Sequence, residues 1–308
     1  MITTGERLQT HRYAIASTIV DPIARRSDIV VAQRWNADRI AKAKELGATV
    51  LVYQNLTRAK APGTDGLYST ALTEEEARKI GALTNNWDKD AGWICLPGSF
   101  AYAYQVAEAA IEAAIEANAD GVFLDDMNAN GPSDDWHREL DFCNAIVGAK
   151  LAEHGLISVA NMCGTIGEWN LKTEGWVERQ FDHFDGGFDE FFVTWPGAQI
   201  QPTTYINEAL RVMRRQTQRG KFYLATCNGP AAVTDYALAL ALLNGRGPLR
   251  YFATRQGGYG EEAYSRALSD AKKLGRPTSQ PGLSRREFEH GEVIVRRTMR
   301  TFEIRRFD

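Results

Sequence analysis

The 308-residue chain is poor in the features that most directly signal chemistry. Its four cysteines, Cys95, Cys143, Cys163 and Cys227, are widely scattered and form no C-x-x-C pair. That spacing excludes a zinc ribbon and a disulfide scaffold, and reads as four separate buried thiols. The five histidines are dispersed, with no H-x-H or H-E-x-x-H, which argues against a histidine-based metallohydrolase. No apolar run approaches the roughly 18 residues of a membrane span; the richest, Tyr236 to Leu243, is far too short. The opening Met1-Ile2-Thr3-Thr4-Gly5-Glu6-Arg7 lacks the basic-then-apolar order of an export signal. The expected location is therefore the cytoplasm, or a cell surface or virion reached by a signal-independent route, with no membrane partner. Lys and Arg number 36 against 39 Asp and Glu, a net charge of −3, so no basic field invites nucleic acid. There is no G-x-G-x-x-G loop, no Walker A sequence and no G-x-S-x-G elbow. A composition 44% hydrophobic and 24% charged excludes disorder.

What is present is an alternation. Short runs of β-branched and aromatic residues predict strands at 13–17, 29–33, 49–53, 121–126, 157–161, 188–193, 222–226 and 250–254. Helical patterns separate them at 36–46, 100–118, 133–153, 168–181, 203–219 and 231–243, with a last helix at 259–274. The connection from Gln54 to Ser99 is long and predicts one small helix near 73–83, opened by a Thr73–Glu76 capping box. Eight such βα units predict an α/β fold, a (β/α)8 TIM barrel over residues 1–276. Pro277 to Pro281 reads as a turn-rich linker. Residues 277–308 then form a short C-terminal β appendage packed on the barrel. Five arginines at 296–306 read as solvated strand faces, with a polyanion patch as the lesser reading.

Barrel enzymes carry their chemistry where strands end. The predicted ends supply Gln33-Arg34-Trp35, Tyr53-Gln54-Asn55, Asp125-Asp126-Met127-Asn128, Asn161, Asp189-Glu190 with Trp195 beyond, Cys227-Asn228, and Arg255 with Tyr259. This rim is carboxylate, amide and aromatic. Acids on the fourth and sixth strands are near neighbours on a ring, and two opposed carboxylates are what glycoside hydrolysis needs. One protonates the leaving oxygen. The other attacks or activates water, at about 5–5.5 Å or about 6.5–9.5 Å respectively. Because successive strand residues face opposite ways, one acid of each dipeptide should enter the mouth unless the strand has already ended. Strand-end acids also serve as helix caps, which is the competing role.

Three segments carry a family resemblance. They are Asp120-Gly121-Val122-Phe123-Leu124-Asp125-Asp126, Asp185-Gly186-Gly187-Phe188-Asp189-Glu190-Phe191, and the closing Arg286 to Val295, which has the form R-x-F-x-x-G-x-V-x-V. In order and spacing the chain resembles a hypothetical glycosyl hydrolase family of TIM-barrel proteins, distantly akin to endo-α-1,4-polygalactosaminidases. The resemblance implies Asp125 and Glu190 as the catalytic pair. It also implies that Trp93-Ile94-Cys95-Leu96-Pro97 is a loop on the substrate side.

The expected activity is hydrolysis of an oligo- or polysaccharide without metal or cofactor. In a retaining mechanism Asp125 is the nucleophile, and Glu190 the general acid/base with its pKa raised by Phe191, Phe192 and Trp195. Asp126, Asn161, Tyr53, Trp35, Trp195, Arg255 and Tyr259 are the expected substrate-binding residues. Two other readings compete. One is a non-catalytic carbohydrate-binding barrel of a surface or phage-tail assembly. The other is a lyase or aldolase holding a divalent ion between Asp125, Asp126 and Glu190.

Overall fold

The computed structural model describes residues 12–16, 27–60, 70–88, 92–126, 135–162, 166–195, 199–245, 249–255, 273–288 and 291–306. These form two compact units. One comprises residues 13–163 and 175–187, the other residues 1–12, 164–174 and 188–308.

The first unit is built on parallel strands. β1 (Arg12–Ala16), β2 (Ser27–Ala32), β3 (Thr49–Lys60), β7 (Gly121–Asp125) and β8 (Ile157–Asn161) lie in that order. Helix α1 (Ala37–Glu45) connects β2 to β3, α3 (Phe100–Glu116) leads to β7, and α4 (Trp136–Glu153) leads to β8. Val50, Leu51 and Val52 of β3 and Val122, Phe123 and Leu124 of β7 are fully buried on both faces, as parallel strands covered by helices must be. Ser99 opens α3 by accepting the Tyr102 amide at 3.1 Å.

The long connection after Tyr53 is not a loop. β3 continues to Lys60, and three further strands follow: β4 (Thr70–Thr73), β5 (Leu83–Asp88) and β6 (Gly92–Cys95). β4 pairs with β3 in parallel, while β6 pairs antiparallel with both β3 and β5. Trp93 thus sits in a strand, where the resemblance implied a loop. The extension is legible in retrospect: Tyr53, Asn55 and Thr57 recur at period two, and Leu56 and Ala59 are buried. The small helix α2 (Glu74–Lys79) carries the complete Thr73–Glu76 capping box the sequence predicts.

The single helix expected at 168–181 is two. α5 (Ile166–Lys172) and α6 (Trp176–His183) are parted by Glu174 and Gly175, both at positive φ. β9 (Gly186–Asp189) ends four residues earlier than the sequence predicts. Glu190 therefore lies in a turn, not a strand.

In the second unit, α7 (Thr203–Gln218), β10 (Phe222–Gly229), α8 (Ala231–Asn244) and β11 (Leu249–Arg255) follow, β10 and β11 being parallel. An antiparallel meander closes the chain: β12 (Lys273–Gln280), β13 (Leu283–Phe288), β14 (Gly291–Arg296) and β15 (Thr301–Arg306). The expected linker is mostly β12, with only Pro281 and Gly282 as its turn. Arg286 on β13 is buried, and its Nη1 donates to the carbonyls of Leu242, Leu243 and Gly245 at 2.8–3.1 Å. One guanidinium thereby satisfies the open C-terminal end of α8 and fixes the meander to it. Of the helix expected at 259–274, residues 273 and 274 belong to β12 and the rest lie outside the described residues.

Candidate active site

Both acidic motifs open on an Asp-Gly that holds the sheet together. Asp120 Oδ2 accepts the Val50 amide of β3 at 2.8 Å, and Lys44 pairs with its other oxygen at 3.1 Å. Asp185 Oδ2 accepts the Ser158 amide of β8 at 2.9 Å. A Cβ on Gly121 would stand 2.0 Å from the Ile157 carbonyl, so no larger residue fits against β8 there. The strand-opening acids are latches between neighbouring strands.

Asp125 closes β7 in register with Asn55 of β3. Tyr53, two residues earlier on the same face, donates its hydroxyl to Asp125 Oδ2, and Asn161 at the end of β8 donates Nδ2 to Oδ1 at 2.8 Å. The Asp125 carboxyl is thus held by strands on both sides. Neither Asp125 nor Asp126 caps the helix that follows: the residue preceding α4 is Asp135, which makes no side-chain cap.

Asp126 lies beyond the strand at φ 61°, a left-handed conformation that costs an L-residue about 1–2 kcal/mol. Asn55 Nδ2 donates to its Oδ2 at 2.8 Å, and Arg58 Nε approaches the same oxygen at 3.3 Å. Because the strand has ended, both acids of the dipeptide meet side chains of β3. Asn55 touches Asp126, while Tyr53 touches Asp125. Arg58 has a second nitrogen, Nη1, that is enclosed and has no hydrogen-bond partner among the described residues.

Electrostatics follow from this packing. Burial raises the Asp125 pKa, and the charge of Asp126 raises it further; the bonds from Tyr53 and Asn161 oppose both. Tyr53 is pushed well above the ordinary tyrosine range, by burial first and then by Asp125, so it remains a hydrogen-bond donor. Its ring is 4% exposed and lies against Phe123, with centroids 6.1 Å apart. So enclosed a ring acts through Asp125 rather than as a stacking platform.

The second acidic dipeptide divides differently. Asp189 is buried; its Oδ2 accepts from the Tyr223 hydroxyl at 3.0 Å and its Oδ1 from the Ile166 amide at 3.4 Å. Burial raises its pKa to about 7, against those hydrogen bonds. Glu190 is half-buried in the turn, and Thr226 donates its hydroxyl to the Glu190 carbonyl. The segment beyond is tightly secured. Val193 sits at φ 75°, rare for a β-branched residue, and buried Gln201 bonds the carbonyls of Phe191 and Thr194. Trp195 is half-buried and meets Tyr205 edge-on at 6.0 Å.

The structure therefore brings together Tyr53, Asp125, Asp126 and Asn161 in the first unit, and places Glu190, Trp195 and Arg255 in the second. Trp35 is 45% exposed just after β2. Arg255 closes β11 in register with Gly229, its side chain lying outside the described residues, as does the whole of Tyr259. Sequence reading did not select Arg58, because it assigned Arg58 to a connection instead of to β3; Asn55 it noted only as a strand end. Among the described residues no group of three or more His, Cys, Asp or Glu side chains is placed to hold a metal ion.

Parallel strands closed by firmly oriented carboxylates, beside amide and arginine donors, suit a glycoside hydrolase, and comparison with known proteins places the chain in that class. Over residues 42–292 it matches the model of hypothetical glycosyl hydrolase family 15, and it belongs to that family. No curated protein sequence matches it. Among solved structures it is similar to the glycoside hydrolase domain of PelA from Pseudomonas aeruginosa, at 15% identity and a TM-score of 0.50, covering 79% of this chain and 92% of that one. It is similar to the maltogenic α-amylase AmyB from Thermotoga neapolitana at 9% identity and a TM-score of 0.50, over 89% and 78% of the two chains. Aspergillus fumigatus Ega3, solved with galactosamine, follows at 13% identity and a TM-score of 0.49, over 82% and 93%. At such identities the likeness to the PelA domain and to AmyB concerns the fold alone.

Proposed function

We propose that the chain cleaves a glycosidic bond of an oligo- or polysaccharide with two carboxylates, Asp125 as nucleophile and Glu190 as general acid/base of a retaining reaction. The observation that carries this reading is the double hold on Asp125. A nucleophilic carboxylate must be ionised and fixed in orientation, and hydrogen bonds from Tyr53 and Asn161 to its two oxygens favour both. Asp125 is half-buried at the strand end, shielded from much of the solvent while part of it stays open to a substrate. Glu190 is the more accessible acid of its dipeptide, since Asp189 is buried with both oxygens engaged inside the protein.

In the reaction Glu190 gives its proton to the leaving oxygen as Asp125 bonds the anomeric carbon. Glu190 then takes a proton from the water that releases the sugar. Asp126, held by Asn55 and Arg58, stands beside Asp125 to meet sugar hydroxyls. Trp35, Trp195 and Tyr259 are the proposed aromatic faces and Arg255 a hydroxyl ligand. The strands are proposed to close as a (β/α)8 barrel over residues 1–276, with 277–308 appended. The mechanism draws on no metal or cofactor. Polysaccharide digestion tests the proposal, starting from a galactosamine-containing polymer because of the polygalactosaminidase resemblance. Asp125→Asn and Glu190→Gln are expected to lose reducing-end release while keeping their melting temperatures; full activity in either variant defeats the assignment.

A further inference from the structure

The arginine-rich C-terminal stretch is only partly consumed by the meander. Arg296 pairs with Glu303 at 2.5 Å, and Arg305 with Glu292 at 2.9 Å. Arg297 and Arg300, in the turn between β14 and β15, have no carboxylate partner among the described residues. With Arg214 of α7 they line a cavity of about 860 Å3 formed wholly within the second unit.

Its described lining contains three arginines and no acidic or aromatic side chain; the rest is mainly hydroxyl and amide, including Thr203, Asn207, Ser279 and Ser284. Arg297 Nη1 donates to Asn207 Oδ1 at 2.7 Å, whereas its Nε is enclosed without a partner. Burial depresses the Arg297 pKa first; the neighbouring Tyr236 opposes the shift, and the like charge of Arg214 adds to it. Arg297 is half-buried and Arg214 and Arg300 line the same cavity from the exposed side, so an anion held there meets three guanidiniums at once. Helix α7 also begins here, with no side-chain cap on its first turn, so its positive end adds to the same field.

We propose that this cavity binds an acidic saccharide. Its carboxylate, sulfate or phosphate group would lie against Arg214, Arg297 and Arg300, and its hydroxyls against the serine, threonine and asparagine side chains. A cavity this large is sized for a small organic ligand, not a lone ion. The absence of aromatics from its described lining gives bases nothing to stack on, and the net charge of −3 disfavours a nucleic-acid polymer. The inference is independent of the hydrolytic reading, because it concerns binding alone.

Calorimetric titration of the full chain with trigalacturonate, a chondroitin sulfate disaccharide, neutral cellotriose and inorganic phosphate tests it, at low and high salt. The expected result is binding of at least one acidic saccharide, weakening as salt rises. Cellotriose and phosphate should bind about tenfold or more weakly than that saccharide. The trigalacturonate and chondroitin sulfate arms tell carboxylate from sulfate recognition. Arg214→Met with Arg297→Met should weaken binding about a hundredfold, and Arg300→Gln, on an exposed side chain, about tenfold. Arg300→Gln keeps the test decisive should the double variant fail to fold. No binding of either acidic saccharide, equal binding of cellotriose or phosphate, or unchanged affinity in Arg300→Gln overturns the proposal.

Discussion

Both oxygens of Asp125 are engaged, one by Tyr53 and one by Asn161. Those bonds favour the ionised carboxylate, while burial and Asp126 oppose it, so the acid must titrate above the ordinary aspartate range. A reaction that needs Asp125 ionised then rises with pH along a limb displaced upward from that range. Tyr53→Phe removes a bond that lowers the pKa, so the limb should move to still higher pH. The same change should cut kcat/KM about ten- to hundredfold, as expected for a lost hydrogen bond to a charged group. A pH profile that drops in height without moving would mean that Tyr53 acts on packing alone. Asp189 makes a different prediction. Its pKa is about 7 in the folded chain, against 3.8 ordinarily. The folded state then holds a proton that the unfolded chain releases between pH about 4 and about 7. Stability is greatest below that window and declines across it, by on the order of 4 kcal/mol. Urea unfolding of Asp189→Asn should show the decline abolished; an unchanged slope would assign it elsewhere. At this scale the acids themselves were readable from their positions at strand ends. Which member of each pair is buried was not, because that depends on where the strand stops. Asp126 escapes alternation through its left-handed backbone, and Asp189 turns inward to Tyr223.

Helices and strands here are spaced by glycines that admit no side chain. A Cβ on Gly167 of α5 would lie 1.9 Å from the Tyr205 carbonyl of α7, and one on Gly148 of α4 would lie 2.1 Å from the His183 carbonyl. Both obstacles are backbone, so the elements themselves must part. Gly167→Ala and Gly148→Ala should each lower stability by about 1–3 kcal/mol in denaturant titration, more than helix propensity alone would gain. A neutral outcome would show that the elements have room to separate. Arg286→Ala should cost at least as much, since it uncovers three carbonyls at the end of α8 and leaves the meander unattached there. Helices α1, α3, α7 and α8 were legible to within two residues from their runs of helix-forming residues and the turn residues that bound them, such as Ser99, Gly47 and Gly220. The strands β4 to β6 were not. Residues such as Thr84, Asn85 and Asn86 are polar, and the pairing of β4 and β6 with β3, and of β5 with β6, is a choice that no local pattern reveals. Missing that excursion hid Arg58 as well.

For the molecule as a whole, parallel strands and a C-terminal β tail were readable from alternation and turn residues, although β12 was read as a helix end and a linker; the family match agrees with the three motifs quoted for it. The division into two compact units was not readable, because it falls inside β9 and between α5 and α6, with no linker to mark it. The two-carboxylate account makes one central demand, that Asp125 and Glu190 play different parts in the same reaction. Single-turnover hydrolysis with an activated glycoside tests that demand most directly, carried out on Glu190→Ala with and without added azide, alongside Asp125→Asn. In a retaining enzyme of this design Glu190→Ala regains activity as azide replaces the water that Glu190 would activate, giving a glycosyl azide of retained configuration, while Asp125→Asn stays inactive throughout. Undiminished hydrolysis in either variant, or a rescued product of inverted configuration, would contradict the assignment of the pair.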